Sequence, residues 1–308
     1  MTPIYFIAGP TACGKTQTAV NLALETGGEV ISADSMQVYR FMDIGTAKPT
    51  SEEMKGIPHH LIDILRPDEK FSVAAFQKMA SAALNDILSR GKTPIIAGGT
   101  GFYLNSLLYG VDFPPEREEP EIRSRYRDIA DSLGLEHLHN MLGKIDPIAA
   151  SGIHPNNVKR VIRALEYYEL TGQMMSERNE MEKRRKQIPG SKLIILYAQR
   201  SRLYERINER VDAMYANGLL EEVKTLLEMG YGKSLPSMQA LGYKETIDCI
   251  EGRLSFAEAA ETVKASTRRY AKRQLTWFRH KCNGLWIDVD ECNNLSIIKE
   301  AVKYNDLA

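Results

Sequence analysis

An α/β fold, with a parallel sheet core flanked by helices and interrupted by a helical insertion domain, follows from three observations. Short apolar runs alternate with helical patterns along the first third of the chain, the loop after the first run carries paired glycines and a lysine, and the strand pattern disappears from Asp112 to about Pro189. Strands that read as continuous apolar runs are buried on both faces, which is the signature of a parallel sheet.

The elements follow in order. Ile4 to Ala8 is a buried strand, and Gly9-Pro10-Thr11-Ala12-Cys13-Gly14-Lys15-Thr16 after it fits G-x-x-x-x-G-K-[ST], with a helical pattern from near Lys15 to Gly27-Gly28. Strand, Gly-bracketed loop and helix together make a P-loop. Its backbone N–H groups and the helix N-terminus cradle phosphate, Lys15 supplies a point cation, and the Thr16 hydroxyl suits Mg²⁺. Glu29 to Ser32 is a second strand running into Asp34. Leu61 to Leu65 reads as a third, and Ser72 as the N-cap of a helix that Gly91 ends. Pro94 to Ala97 is a further strand, opening into Gly98-Gly99-Thr100-Gly101. Ligands of parallel sheets sit outside the carboxyl ends of the strands, so the P-loop, the loop Asp34 to Gln37 and the loop Gly98 to Thr100 are expected to converge there.

Pro114, Pro115 and Pro120 mark the exit into the helical insertion, which ends in the charged run Glu180 to Lys186. Leu193 to Tyr197 returns to strand. Ser201 is expected to cap a helix carrying Arg206 and Arg210 on one face, and Ser255 to Glu258 is a capping box opening a long helix to about His280. On that helix Val263, Thr267, Tyr270, Gln274 and Trp277 share one stripe. The expected divisions are 1–111 for the first part of the core, 112–190 for the insertion and 191–308 for the rest of the core.

Composition narrows the class. With 308 residues, 43% hydrophobic and 26% charged, the chain reads as an ordinary globular protein. Its first apolar run is too short for a signal sequence or a membrane span, so a cytoplasmic protein with no membrane partner is expected. The spacing of Cys13, Cys249, Cys282 and Cys292 suits neither zinc nor a disulfide framework. Formal net charge is zero, yet Lys264, Arg268, Arg269, Lys272, Arg273, Arg279 and Lys281 fall between Glu261 and Asp288 with no acidic residue among them. Segregated basic patches on a neutral chain can present a phosphate-binding face.

Asp34, at the mouth of its strand, is placed to accept a proton or hydrogen bond from an attacking hydroxyl or amine; the same Ser-Ala-Asp-Ser segment is also good turn chemistry. Thr100 follows two glycines that permit close backbone approach. A small-molecule kinase using ATP would share the P-loop, the Asp and the Gly-Gly loop, but needs little more than half of this length.

Further residues carry a resemblance. The P-loop octet, then Ile31-Ser32-Ala33-Asp34-Ser35-Met36-Gln37-Val38-Tyr39-Arg40 and Met42-Asp43-Ile44-Gly45-Thr46-Ala47-Lys48-Pro49, closely resemble the tRNA dimethylallyltransferase family. So do Pro58-His59-His60, Arg160-x-x-Arg163-Ala164-Leu165-Glu166, Gln239-Ala240-x-Gly242-Tyr243-Lys244-Glu245 and Arg269-Tyr270-Ala271-Lys272-Arg273-Gln274-x-x-Trp277. Phe102 stands where Leu is common, and the absence of a zinc finger before Ala308 suggests the bacterial form.

The resemblance implies transfer of a dimethylallyl group from dimethylallyl diphosphate to N6 of the adenosine 3′-adjacent to the tRNA anticodon. It implies a P-loop, Gly9 to Thr16, that holds the donor's diphosphate with Mg²⁺ on Thr16, helped by Lys15 and Arg210. Asp34, Thr100 and Lys15 would be catalytic, with Asp34, Ser35, Met36, Gln37 and Thr100 around the base. Arg123, Lys159, Arg160 and Arg163 would touch the anticodon stem-loop. A monomer is expected. An adenine stacked in a loop is unreachable, so the base must be extruded into a pocket.

Overall fold

The computed structural model describes residues 2–111 and 120–304; Pro114 and Pro115 lie outside these. In chain order the elements are β1 (Ile4–Ala8), α1 (Lys15–Thr26), β2 (Glu29–Ser32), α2 (Ser51–Met54), β3 (His59–His60), α3 (Val73–Ser89), β4 (Pro94–Gly98) and α4 (Gly101–Leu108). Helices α5 (Pro120–Leu133), α6 (Leu135–Ile145), α7 (Pro147–Gly152), α8 (Val158–Thr171) and α9 (Met175–Lys183) follow. The chain continues with β5 (Ser191–Tyr197), α10 (Arg200–Ala216), α11 (Leu219–Glu228), α12 (Tyr243–Ile250), α13 (Phe256–Lys281), β6 (Leu285–Asp288) and α14 (Asn294–Lys303).

Two compact units result: residues Met1–Gly110 with Gln187–Ala308, and residues Val111–Lys186. The first holds a six-stranded sheet in the order β3-β2-β4-β1-β5-β6, every pairing parallel. All of β1 is buried, and its residues alternate between faces: Ile4, Phe6 and Ala8 join one apolar core, Tyr5 and Ile7 the other. A third apolar cluster, around Val38, Met42, Val211, Tyr215, Val223 and Tyr243, packs α10 to α13 against the chain after β2. Among its described residues the second unit is built of helices α5 to α9, with its own core of Ile122, Tyr126, Leu138, Leu142, Val161 and Leu165.

Strand register sets the site. Ala8 pairs with Gly98 and Ser32 with Ala97, so β1, β4 and β2 end level and side by side. Gly98 allows it: a Cβ there would stand 2.1 Å from the Ala33 carbonyl oxygen, a contact with backbone that has nowhere to go.

Several elements differ from the sequence reading. The third strand is His59–His60 and not Leu61 to Leu65, because Leu61 (φ 63°) and Asp63 (φ 56°) adopt left-handed backbone that leaves the ladder. Pairing resumes only at the isolated Tyr39–Leu65 bridge. Helix α10 starts at Arg200 with Gln199 as N-cap and no side-chain cap, so Ser201 lies inside it. Strand β6 went unread because its four residues form a short, half-exposed edge strand with little periodicity. On α13 the capping box at Ser255 forms as expected, but the buried stripe is Val263, Ala271, Gln274 and Phe278, with Thr267 and Tyr270 partly exposed.

At the opposite, amino edge of the sheet, Glu29 is buried and bonded by Arg90 (2.5 Å), Lys92 (2.7 Å) and His60 (2.8 Å). The Arg90 hydrogen bond above all, against the cost of burial, holds its carboxyl well below the usual range. A depressed carboxyl contributes stability that is present above its unfolded value near 4.3 and lost as pH falls toward the folded one. Between pH 6 and 3 the denaturation midpoint of the wild type should therefore fall more steeply than that of Glu29→Gln. Separately, Gly98→Ala should destabilise by at least about 2 kcal/mol, read by denaturant unfolding, because the added methyl overpacks against backbone.

Candidate active site at the carboxyl edge of the sheet

The P-loop leaves β1 and closes on α1. Gly14, in left-handed backbone at φ 74°, is the N-cap that turns the loop into the helix. Lys15 Nζ donates to the Pro10 carbonyl across the loop at 2.7 Å. Burial pushes its ammonium down to about 8, with Arg210 adding repulsion and Cys13 and Asp34 opposing the shift. Thr16, in the first turn of α1, is half-exposed at the same helix end. Cys13 is buried, and burial pushes its thiol up to about 11, so it is a packing residue and a poor nucleophile.

The second wall follows β2. Asp34 Oδ1 accepts from the Met36 N–H at 2.9 Å and more loosely from Gln37 N–H at 3.4 Å, so the turn role is realised. That role uses one carboxylate oxygen; Oδ2 makes no hydrogen bond among the described residues. Thr100 Oγ1 accepts from the Ser35 N–H at 3.1 Å and its hydroxyl reaches Ser35 Oγ at 3.4 Å, which joins the β4 loop to the β2 loop. Gln37 turns its amide between Ser32 Oγ (3.0 Å) and the Ala47 carbonyl (3.2 Å).

Helix α13 fastens the loops together from outside. The buried Gln274 amide accepts from the Thr11 N–H of the P-loop at 3.0 Å and donates to the Gly99 carbonyl at 2.9 Å. Gly99 is there because a Cβ would meet Gln274 Nε2 at 2.3 Å. Tyr270, one turn earlier, lies beside Thr100 and Gln274; burial pushes its phenol up to about 12, so it keeps its proton. Sequence reasoning put Gln274 and Tyr270 on the packing stripe and missed them as site residues. Their signal was polarity on an otherwise apolar stripe.

From α10, Arg210 is lowered by burial and pulled back by the charges of Asp34 and Glu53, which places it in the field of the site. Arg206, expected on the same face, instead pairs with Asp290 at 2.7 Å. The basic run on α13 also divides. Lys264 pairs with Asp212 (2.8 Å) and Glu261 (3.0 Å), and Arg268 bonds Asn208 (2.6 Å), whereas Arg269, Lys272, Arg273, Arg279 and Lys281 stay exposed.

In the helical unit Arg123 and Arg163 both reach the buried Glu166, at 2.6 and 3.2 Å, with their side chains still 51% and 55% exposed. Lys159 and Arg160 are exposed in the first turn of α8. Together these residues make a basic patch on a fixed carboxylate.

Among the described residues no helix is long and apolar enough to cross a membrane, and no three His, Cys, Asp or Glu side chains gather to hold a metal ion. A hydroxyl at the end of a phosphate loop still fits Mg²⁺. That ion takes few protein ligands and fills its octahedron with phosphate and water oxygens.

A family model described as IPP transferase matches residues 37–281. The chain is 52% identical over 296 residues to a tRNA dimethylallyltransferase of Alkaliphilus oremlandii, covering 95% of this chain and 94% of that one. It is 49% identical to one of Acetivibrio thermocellus, covering 99% and 97%. Among solved structures, a tRNA isopentenylpyrophosphate transferase of Bacillus halodurans superposes with a TM-score of 0.73 at 46% identity over 98% of this chain and 95% of that one. A eukaryotic dimethylallyltransferase acting on tRNA superposes at 0.80 and 32% identity, covering 94% and 74%. With the P-loop, the Asp34 turn and the Thr100 loop assembled on one sheet edge, the chain belongs to the IPP transferase family.

Proposed function

We propose that the protein transfers a dimethylallyl group from dimethylallyl diphosphate to the exocyclic N6 of the adenosine 3′-adjacent to the anticodon of tRNA. The observation that supports this reading is that Gln274 fastens the loop after β1 to the loop after β4, beside the Asp34 turn, in a chain of this family.

Adenine N6 is a weak nucleophile, its lone pair being delocalised into the ring, so the allylic carbon must carry the reactivity. The N6–C1 bond forms as the C1–O bond to the diphosphate breaks, and the amine gives up one proton. The P-loop amides, Lys15 and Arg210 would neutralise the departing diphosphate. Thr16 would hold Mg²⁺, which supplies further charge neutralisation on the phosphate oxygens. Asp34 would orient the amine and take its proton through Oδ2, the oxygen its turn does not use. Thr100, held by Ser35, would hydrogen-bond the reacting groups. The exposed cations of α13 and the basic patch of Arg123, Lys159, Arg160 and Arg163 would meet RNA phosphates, whose contribution weakens with salt.

The direct test incubates unmodified tRNA and Mg²⁺ with radiolabelled dimethylallyl diphosphate beside an assay of ATP consumption. Label in the tRNA with ATP untouched is expected; ATP turnover without label would replace the reading by a kinase. Asp34→Asn preserves the turn acceptor but removes the base. It should keep RNA affinity within several-fold while turnover drops by about a hundredfold or more; near-normal turnover would reduce Asp34 to its turn.

Lys15 generates a pH prediction. Burial pushes the Lys15 ammonium down to about 8, and a bound diphosphate favours the charged form. Binding therefore takes up a proton above that pH, and affinity for the donor should weaken as pH rises through about 8. Calorimetry in buffers of different ionisation enthalpy reads the proton directly.

A further inference from the structure

Glu222 of α11 lies outside the three loops of the site, yet its carboxylate is spent on the turn that follows the second of them, Asp43 to Gly45. Oε2 accepts from the N–H of Asp43 (2.9 Å) and of Ile44 (2.7 Å); Oε1 accepts from the N–H of Gly45 (3.1 Å) and from the Tyr243 hydroxyl (2.7 Å). Three successive amides thus point at one carboxylate, the arrangement that backbone nests offer to anions. The close fit is built in: a Cβ on Gly45 would stand 2.4 Å from the Tyr243 ring, which is fully buried. Burial and then the Glu222 charge push the Tyr243 phenol well above its ordinary value, so it donates throughout.

The held turn leads directly to Gln37. Ala47 N–H donates to the Ile44 carbonyl at 3.0 Å, closing the turn that Glu222 grips, and the Ala47 carbonyl in turn accepts from Gln37 Nε2 at 3.2 Å. With Ser32 Oγ on its oxygen at 3.0 Å, the Gln37 amide is fixed at both ends. It retains one N–H and one lone pair, a donor beside an acceptor. An adenine edge offers the complement, an amine beside a ring nitrogen, and a Gln side chain pairs with it in bidentate fashion. Bonds within the segment also hold this turn, the Lys48 N–H on the Asp43 carbonyl (2.9 Å) and the Thr46 hydroxyl on the Met42 carbonyl (2.6 Å); Glu222 is the support it receives from α11.

We propose that Glu222, with Tyr243, is a positioning residue that sets the Gln37 amide for recognition of the acceptor adenine, without touching the RNA. The proposal rests on the function proposed above. It separates the acceptor side from the donor side, because Glu222 bonds no part of the P-loop.

The test uses the full-length protein, radiolabelled dimethylallyl diphosphate and an RNA hairpin with the target adenosine, compared with hairpins carrying 7-deaza- or 1-deaza-adenosine there. Glu222→Gln loses an acceptor and turns its NH₂ toward backbone N–H groups. It should raise the KM for the hairpin about tenfold, the scale of one bidentate base contact, with the KM for the donor unchanged. The wild type should be slowed by a similar factor on the analogue lacking the ring nitrogen that Gln37 reads. Glu222→Gln should show no such penalty. Tyr243→Phe, which removes a single hydrogen bond, should move both readouts the same way by less, and it serves should Glu222→Gln fold poorly. A variant that melts earlier but keeps the wild-type KM for the hairpin and the full deaza penalty would make Glu222 purely structural and overturn the proposal. So would a wild type indifferent to both analogues. If the wild type labels no RNA at all, the proposed function falls first.

Discussion

Parallel pairing of β4 between β1 and β2 is the constraint on which the rest of this molecule depends. In a parallel ladder all carboxyl ends lie on one edge, so the loops after three different strands must emerge together whatever their sequences. Because Ala8 and Gly98 are register partners and Gly98 lies against Ala33, the P-loop, the Asp34 turn and the Thr100 loop begin within a strand spacing of one another. The long helix α13 then needs only one buried amide, Gln274, to tie two of them. A buried amide is an economical tie because its donor and acceptor are both satisfied by backbone groups that would otherwise be orphaned.

The charge balance of the site follows from the same geometry. Lys15 and Arg210 are both pushed toward their neutral forms by burial, and Asp34 is the carboxylate that opposes the shift in each. Two desolvated cations, with Asp34 beside both and Glu53 acting on Arg210, concentrate positive charge at the end of a helix. Asp34 meanwhile holds its own turn through one carboxylate oxygen, Oδ1. The basic surface is sorted by packing, since Lys264 and Arg268 are drawn inward to α10 while their neighbours on α13 stay in water.

Much of this was legible in the chain itself. Apolar runs located β1, β2, β4 and β5, the glycine-bracketed octet located the turn from β1 into α1, and Ser255 with Glu258 located the start of α13, because each signal is local and has one physical meaning. The reading failed where backbone conformation or partners decide. Positive φ at Leu61 and Asp63 ended a strand that composition favoured, and β6 is too short to show a period.

The sequence by itself determined the parallel α/β class and the family, since periodicity and short motifs are properties of neighbours along the chain. Only the tertiary structure decided which oxygen of Asp34 is spent, that Gln274 and Tyr270 serve the loops, that Arg123 and Arg163 share Glu166, and that Glu222 grips the turn behind Gln37. Those contacts join residues that are far apart in the chain, and a hydrogen bond between distant residues leaves no period and no motif for a sequence to display.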